Sequence, residues 1–75
     1  MHHTPSPFQQ GQYLARFLFR EGVLDLGMLL TERDRCRDEA RRYARYAAPS
    51  GSPETLRTIA AGLLYQWAWE CEHAL

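Results

Sequence analysis

The sequence predicts an all-α protein built from three helices. Apolar residues recur every three or four positions in three separate segments, which is the spacing of an amphipathic helix. Turn-forming residues separate the segments at Gly22 and at Pro49-Ser50-Gly51. No segment shows the strict apolar-polar alternation of a half-buried strand. At 75 residues the chain makes one domain, and we predict a single helical domain over 1–75 with a flexible N-terminus over 1–5.

The first helix is predicted over residues 7–21. Ser6 suits the N-cap, Pro7 the first helical position, and Gln9 the reciprocal position of a capping box. Gly22 is the natural stop. The expected core-facing residues are Leu14, Phe17 and Leu18. A second apolar strip, expected to stay uncovered, consists of Phe8, Ala15 and Phe19.

The second helix has two candidate start points. Thr31 as N-cap, with Asp34 three residues later, favours a start near residue 32. However, apolar residues stay in helical phase from Leu26 to Ala47, which favours one helix over 25–47 capped by Asp25. We expect the longer helix.

The third helix is predicted over 53–73, after a short connector and with Ser52 as its cap. One face carries Leu56, Ile59, Ala60, Leu63, Leu64, Trp67 and Cys71. Tyr65 and Trp69 fall on the opposite side, beside Gly62. This side is either core, covered by another helix, or a binding surface. We expect the second and third helices to form an antiparallel hairpin, with the first packed across it.

The small size of the chain predicts self-association. A core of this size rarely supplies more than ~3–5 kcal/mol. Cys36 and Cys71 are expected to be reduced, buried thiols and not a disulfide. A homodimer would bury the strip of Phe8, Ala15 and Phe19 twice over.

The sequence offers no catalytic, cofactor or metal site. Cys71 and His73 lie ~200° apart around a helix and cannot act together. The glycines are scattered and form no phosphate-binding loop. Met1-His2-His3 can bind Cu(II) or Ni(II), although such binding is common at mobile termini and is expected to be adventitious. We therefore predict a protein that is not an enzyme.

The charge pattern argues against bulk electrostatic binding. Nine basic residues, all arginine, balance nine acidic ones. In the second helix the arginines alternate with Asp and Glu, which is typical of a solvated helix with internal ion pairs, here Asp34 with Arg37 and Asp38 with Arg41 or Arg42. Arg37, Arg41 and Arg45 still form a local basic ridge. With no signal peptide and no membrane-spanning run, we expect a soluble, cytoplasmic protein.

Protein binding is the function that these features favour. Aromatic residues make up 12% of the chain, and Trp, Tyr and Arg dominate interface hot spots. We predict a regulator or inhibitor that occludes a surface of a larger host protein, of the kind encoded by phages and other mobile elements. The alternatives are a nucleic-acid-binding regulator using the Arg-rich second helix, or an antitoxin-like subunit. The predicted partner-binding residues are Tyr65, Trp69, Phe19, Phe8, Arg41 and Arg45.

Overall fold

The computed structural model describes residues 4–25 and 27–73. They form four helices: α1 (Pro7–Arg20), α2 (Met28–Thr31), α3 (Arg33–Ala47) and α4 (Pro53–His73). The all-α class is confirmed, since the described residues contain no strand. The Met1-His2-His3 motif and Leu26 lie outside the described residues. No helix in the described part of the chain is both long and apolar enough to cross a membrane.

Local hydrogen bonds explain where α1 begins and ends. The Ser6 hydroxyl accepts from the Gln9 backbone N–H at 3.2 Å, while the Gln9 side chain accepts from the Ser6 N–H at 3.1 Å. At the other end, Gly22 has a φ of +73°, and the Val23 N–H donates to the Leu18 carbonyl at 2.8 Å. This is the glycine-terminated arrangement that satisfies the last carbonyls of a helix.

Helix α4 is the centre of the molecule. α1 packs against one side and α3 against another, whereas α1 and α3 make almost no contact with each other. Trp67 is fully buried, with its ring edge-on to Phe19 at 6.5 Å between centroids. Its indole N–H donates to the Asp25 carbonyl at 3.0 Å and ties the loop after α1 to α4. The buried residues of α4 are Ile59, Ala60, Gly62, Leu63, Gln66 and Trp67.

Two glycines bring α1 and α4 into backbone contact. A Cβ at Gly11 would lie 2.0 Å from the Ile59 carbonyl oxygen, and one at Gly62 would lie 2.0 Å from the Phe8 carbonyl oxygen. Only glycine allows so close an approach. Gly11 therefore serves the packing of α1, whatever it costs in helix propensity.

The prediction of which side of α1 faces the core was right for two of its three residues. Leu18 is buried and Leu14 packs against the core, as expected, but the buried side extends over residues that were expected to stay uncovered. Ala15 is fully buried, and Phe19 packs against the core. Phe17, expected to be inside, is 54% exposed. Gly11 and Ala15 lie on the buried side because their small size lets α4 come close. The prediction from hydrophobic periodicity relied on the large apolar side chains and therefore placed Phe17 in the core. Within the strip that suggested a dimer, Ala15 is therefore fully buried, and Phe8 and Phe19 are half-buried against the rest of the chain.

The predicted helix over 25–47 is interrupted. Glu32 adopts φ −135° and ψ 61°, which separates α2 from α3. Asp25 accepts the Gly27 backbone N–H at 2.8 Å in a local turn, so the first helical residue is Met28. The Thr31 hydroxyl donates to the Gly27 carbonyl within α2 and does not cap α3. The break allows α3 to present a face of small, fully buried residues to the core: Cys36, Ala40 and Ala44.

Candidate protein-binding surface

One side of α4 is left largely uncovered by α1 and α3. Its residues fall within a sector of about 140° around the helix axis, and all are exposed or half-buried. We call this side the outward face; it consists of Arg57, Ala61, Leu64, Tyr65, Ala68, Trp69 and Glu72.

The aromatic side chains of the outward face are exposed but held in place. Tyr65 is 57% and Trp69 39% exposed. The Tyr65 ring contacts Phe8 at 5.6 Å between centroids. Trp69 stacks on His73 at 3.9 Å with an interplanar angle of 12°, and the His73 Nδ1 lies 2.8 Å from the Trp69 carbonyl oxygen. Side chains that are already ordered lose less entropy when a partner binds.

A groove runs along the seam between α3 and α4. Its walls carry arginines, and its floor consists of small or aliphatic side chains. One of its hollows, of about 300 Å³, is lined by Arg41, Arg45, Pro53, Leu56 and Arg57. We call the whole the arginine groove. Its walls are Arg33, Arg37, Arg41, Arg45 and Arg57, and its floor is Leu29, Pro53, Leu56, Ala60, Ala61, Leu64 and Ala68.

The ion pairs of α3 leave most arginines of this groove without a paired carboxylate. Arg35 pairs with Glu32, and Arg42 with Glu39, both away from the groove. Arg37 lies 3.8 Å from Asp34, whose side chain is almost fully exposed. The predicted pairs of Asp38 do not form among the described residues.

Most of the groove arginines therefore keep an unneutralised charge. Within the part of the chain that the structure describes, no carboxylate lies within 4 Å of the guanidinium groups of Arg33, Arg41, Arg45 and Arg57.

The structure places the predicted site residues in two adjoining regions and one separate region. Tyr65 and Trp69 lie together with Phe8, and Arg41 and Arg45 lie in the arginine groove. Ala68 connects these regions, because it lines both the end of the groove and the hollow between the two exposed aromatics. Phe19 belongs elsewhere, since it packs against Trp67 in the core.

Two walls of the groove and one exposed aromatic pair were not predicted from the sequence. Arg33 extends the basic ridge by one turn, and its four-residue spacing from Arg37 was a visible signal. Arg57 joins the groove only through tertiary folding. Tyr13 and Phe17, one turn apart on α1, are each 54% exposed.

The two thiols lie at the core and not at this surface. Cys36 is fully buried, and Cys71 packs against the core. Burial raises the pKa of both thiols, and nearby carboxylates raise the Cys36 pKa further. A thiol with a raised pKa is a poor nucleophile at neutral pH. Among the described residues, no group of His, Cys, Asp and Glu side chains is arranged to hold a metal.

The comparisons with other proteins do not indicate a function. Comparisons of the chain with models of protein families, with curated proteins and with solved structures find no match.

Proposed function

We propose that this protein is a small non-enzymatic regulator that binds a larger protein and covers part of its surface. The observation that carries the proposal is the contrast between neighbouring tryptophans on α4. Trp67 is fully buried and Trp69 is substantially exposed, next to the exposed Tyr65. Since the core is complete without them, Tyr65 and Trp69 are available to a partner. Exposed, ordered aromatics are the usual anchors of protein interfaces.

The charged residues complete the proposed interface. Tyr65 and Trp69 supply apolar anchors, with Phe8 supporting the Tyr65 ring. Arg41 and Arg45, which lie farther along the seam of α3 and α4 in the hollow with Leu56 and Arg57, contact an acidic rim on the partner. The proposal includes the antiparallel arrangement of α3 and α4 predicted from the sequence. The predicted homodimer stays a prediction, and Tyr13 and Phe17 on α1 are among the exposed apolar residues that would offer it a surface.

A matched pair of double variants tests the proposal. Tyr65→Ala with Trp69→Ala removes the proposed anchors, and Tyr13→Ala with Phe17→Ala removes a pair on α1 that is at least as exposed. We expect only the first variant to lose capture of a specific protein from native-host extracts, with both retaining wild-type helicity by circular dichroism. Unfolding of the first variant, or equal capture by both, would contradict the proposal.

Nucleic-acid binding is a second candidate, favoured by the spacing of the arginines on α3. Four-residue steps from Arg33 to Arg45 place positive charges ~6 Å apart along the helix. Binding of an oligonucleotide, followed by fluorescence anisotropy, would then fall steeply between ~50 and ~200 mM salt. The zero net charge and the apolar groove floor favour a protein partner instead.

A further inference from the structure

We infer that the arginine groove binds an acidic amphipathic helix of the partner protein. This inference rests on the proposed function and specifies the chemistry of the partner segment. Three properties of the groove support it: the repeat of its charges, its apolar floor and its position in the helical packing.

The charges of the groove repeat with the period of a helix. Arg33, Arg37, Arg41 and Arg45 follow one another at four-residue intervals, so they extend over ~18 Å, or about three turns. A helix lying alongside α3 presents carboxylates at i and i+4 with the same ~6 Å repeat. Successive Glu or Asp side chains of the partner can therefore each reach one guanidinium group.

The electrostatics of the groove favour carboxylates. No Asp or Glu lines the arginine groove in the described part of the chain. Each guanidinium group is a planar fork that pairs with a carboxylate through two parallel hydrogen bonds. Since Arg41, Arg45 and Arg57 have no ion pair among the described residues, a partner carboxylate would not displace an existing one.

The floor of the groove selects against a nucleic-acid backbone. Between the arginines lie Leu56 and Leu64, together with the alanines at 60, 61 and 68. Small side chains let an incoming helix approach closely, and the leucines can pack against its apolar stripe. A phosphate backbone would neutralise the arginines but would bring no apolar surface to cover this floor.

The position of the groove is that of an absent helix. α1 and α3 occupy two sides of α4, and the outward face is the remaining side. A partner helix on this side would contact both α3 and α4. Together with α1, α3 and α4 it would form a bundle of four long helices. Helix-in-groove docking is therefore the binding mode that this surface fits.

Designed peptides provide a direct test. The probe is a fluorescein-labelled helical peptide of about 18 residues, with Glu pairs at i and i+4 beside a Leu/Ala stripe. One control peptide has Lys in place of every Glu. A second has the same composition in an order that destroys the amphipathic stripe. A single-stranded and a duplex DNA oligonucleotide are titrated in parallel, and binding is followed by fluorescence anisotropy.

Two charge-reversal variants locate the binding site. Arg37→Glu with Arg41→Glu reverses two charges inside the groove. Arg16→Glu with Arg20→Glu reverses two exposed arginines one turn apart on α1 and changes the net charge equally. Circular dichroism checks that both variants fold.

The inference predicts that the acidic amphipathic peptide binds at least about tenfold more tightly than either control peptide. The groove variant weakens its binding by about tenfold or more, whereas the α1 variant changes it by less than about threefold. The groove variant should also gain affinity for the Lys peptide.

Equal binding of the amphipathic and reordered peptides, equal effects of the two variants, or preferential binding of DNA would overturn the inference. Its failure is distinguishable from failure of the proposed function. Loss of partner capture by Tyr65→Ala with Trp69→Ala would uphold protein binding even if the acidic peptide did not bind.

Discussion

Helix α4 contacts α1 and α3 in two contrasting ways. Against α1 the helix backbones themselves touch, at Gly11 and Gly62. Against α3 the contact is made by small side chains, and the seam opens into the arginine groove. The interface of α4 with α1 leaves no room for a side chain at Gly11 or Gly62. The interface of α4 with α3 leaves a charged surface beside the core. The interface of α1 with α4 is therefore the most closely packed part of the fold, and the proposed binding surface lies at the outer edge of α3 and α4.

Polar contacts reinforce this contrast. Gln66 is 5% exposed, and its side chain donates to Glu70 at 3.2 Å and accepts from Gln12 of α1 at 3.5 Å. These side-chain hydrogen bonds link α1 to α4. No corresponding hydrogen bond between side chains of α3 and α4 occurs in the described residues.

The largest expected effect is at the glycine contacts. Gly11→Ala or Gly62→Ala should lower the free energy of unfolding by about 3 kcal/mol or more, because the new methyl group meets backbone atoms that cannot move aside. Gly27→Ala is the control. Its Cβ would lie 3.4 Å from the Asp25 carboxylate, and its φ of −68° suits any residue. Urea denaturation followed by circular dichroism measures all three, and wild-type stability of Gly62→Ala would refute the close packing.

A smaller loss is expected at the buried indole. Trp67→Phe leaves the Asp25 carbonyl without its donor and creates a small cavity, so we expect a loss of about 2 kcal/mol. Trp69→Phe retains a ring beside His73 and should change stability by less than about 0.5 kcal/mol. Thermal unfolding compares the two variants, and equal destabilisation would show that Trp69 also belongs to the core.

Alkaline pH should weaken the fold through the thiols. Burial holds the pKa of the Cys36 thiol above its ordinary range. The unfolded chain therefore loses its thiol proton first, and stability declines as pH rises through the unfolded thiol pKa of ~8.5. Melting temperatures of wild type and Cys36→Ala between pH 7 and pH 10 test this, with a flatter profile expected for the variant. Identical slopes would exclude the thiol as a cause.

The smallest effect on stability is expected in the arginine groove. Arg37→Ala with Arg41→Ala should change the free energy of unfolding by no more than about 0.5 kcal/mol, since exposed charges of this kind contribute little. Urea denaturation provides the measurement. Destabilisation comparable with that of Gly62→Ala would mean that the groove is structural.

The sequence predicted most of the local structure and less of the packing. The cap at Ser6, the stop at Gly22 and the buried stripe of α4 depend on neighbouring residues, which the sequence displays directly. The buried side of α1 depends on Gly11 meeting the Ile59 carbonyl, a contact between residues far apart in sequence. Hydrophobic periodicity alone predicts that Phe17, and not a glycine, faces the core.

The candidate surface was predicted in part for the same reason. The basic ridge on α3 was visible from its four-residue spacing, but the contribution of Arg57 from α4 requires knowledge of the tertiary fold. Whether Tyr65 and Trp69 lie inside or outside could not be decided from the helix pattern. Tyr65 and Trp69 lie on the same side of α4 whether that side is core or surface. Only the positions of α1 and α3 in the folded chain show that the side is exposed.

The most direct test of this account is chemical-shift mapping of the ¹⁵N-labelled protein titrated with the acidic amphipathic peptide. We predict that the perturbed amides and arginine Nε–H groups lie along α3 from Arg33 to Arg45 and on the outward face of α4, with α1 beyond Phe8 unchanged. Perturbations centred on Tyr13 and Phe17 of α1, or spread evenly over the protein, would contradict it.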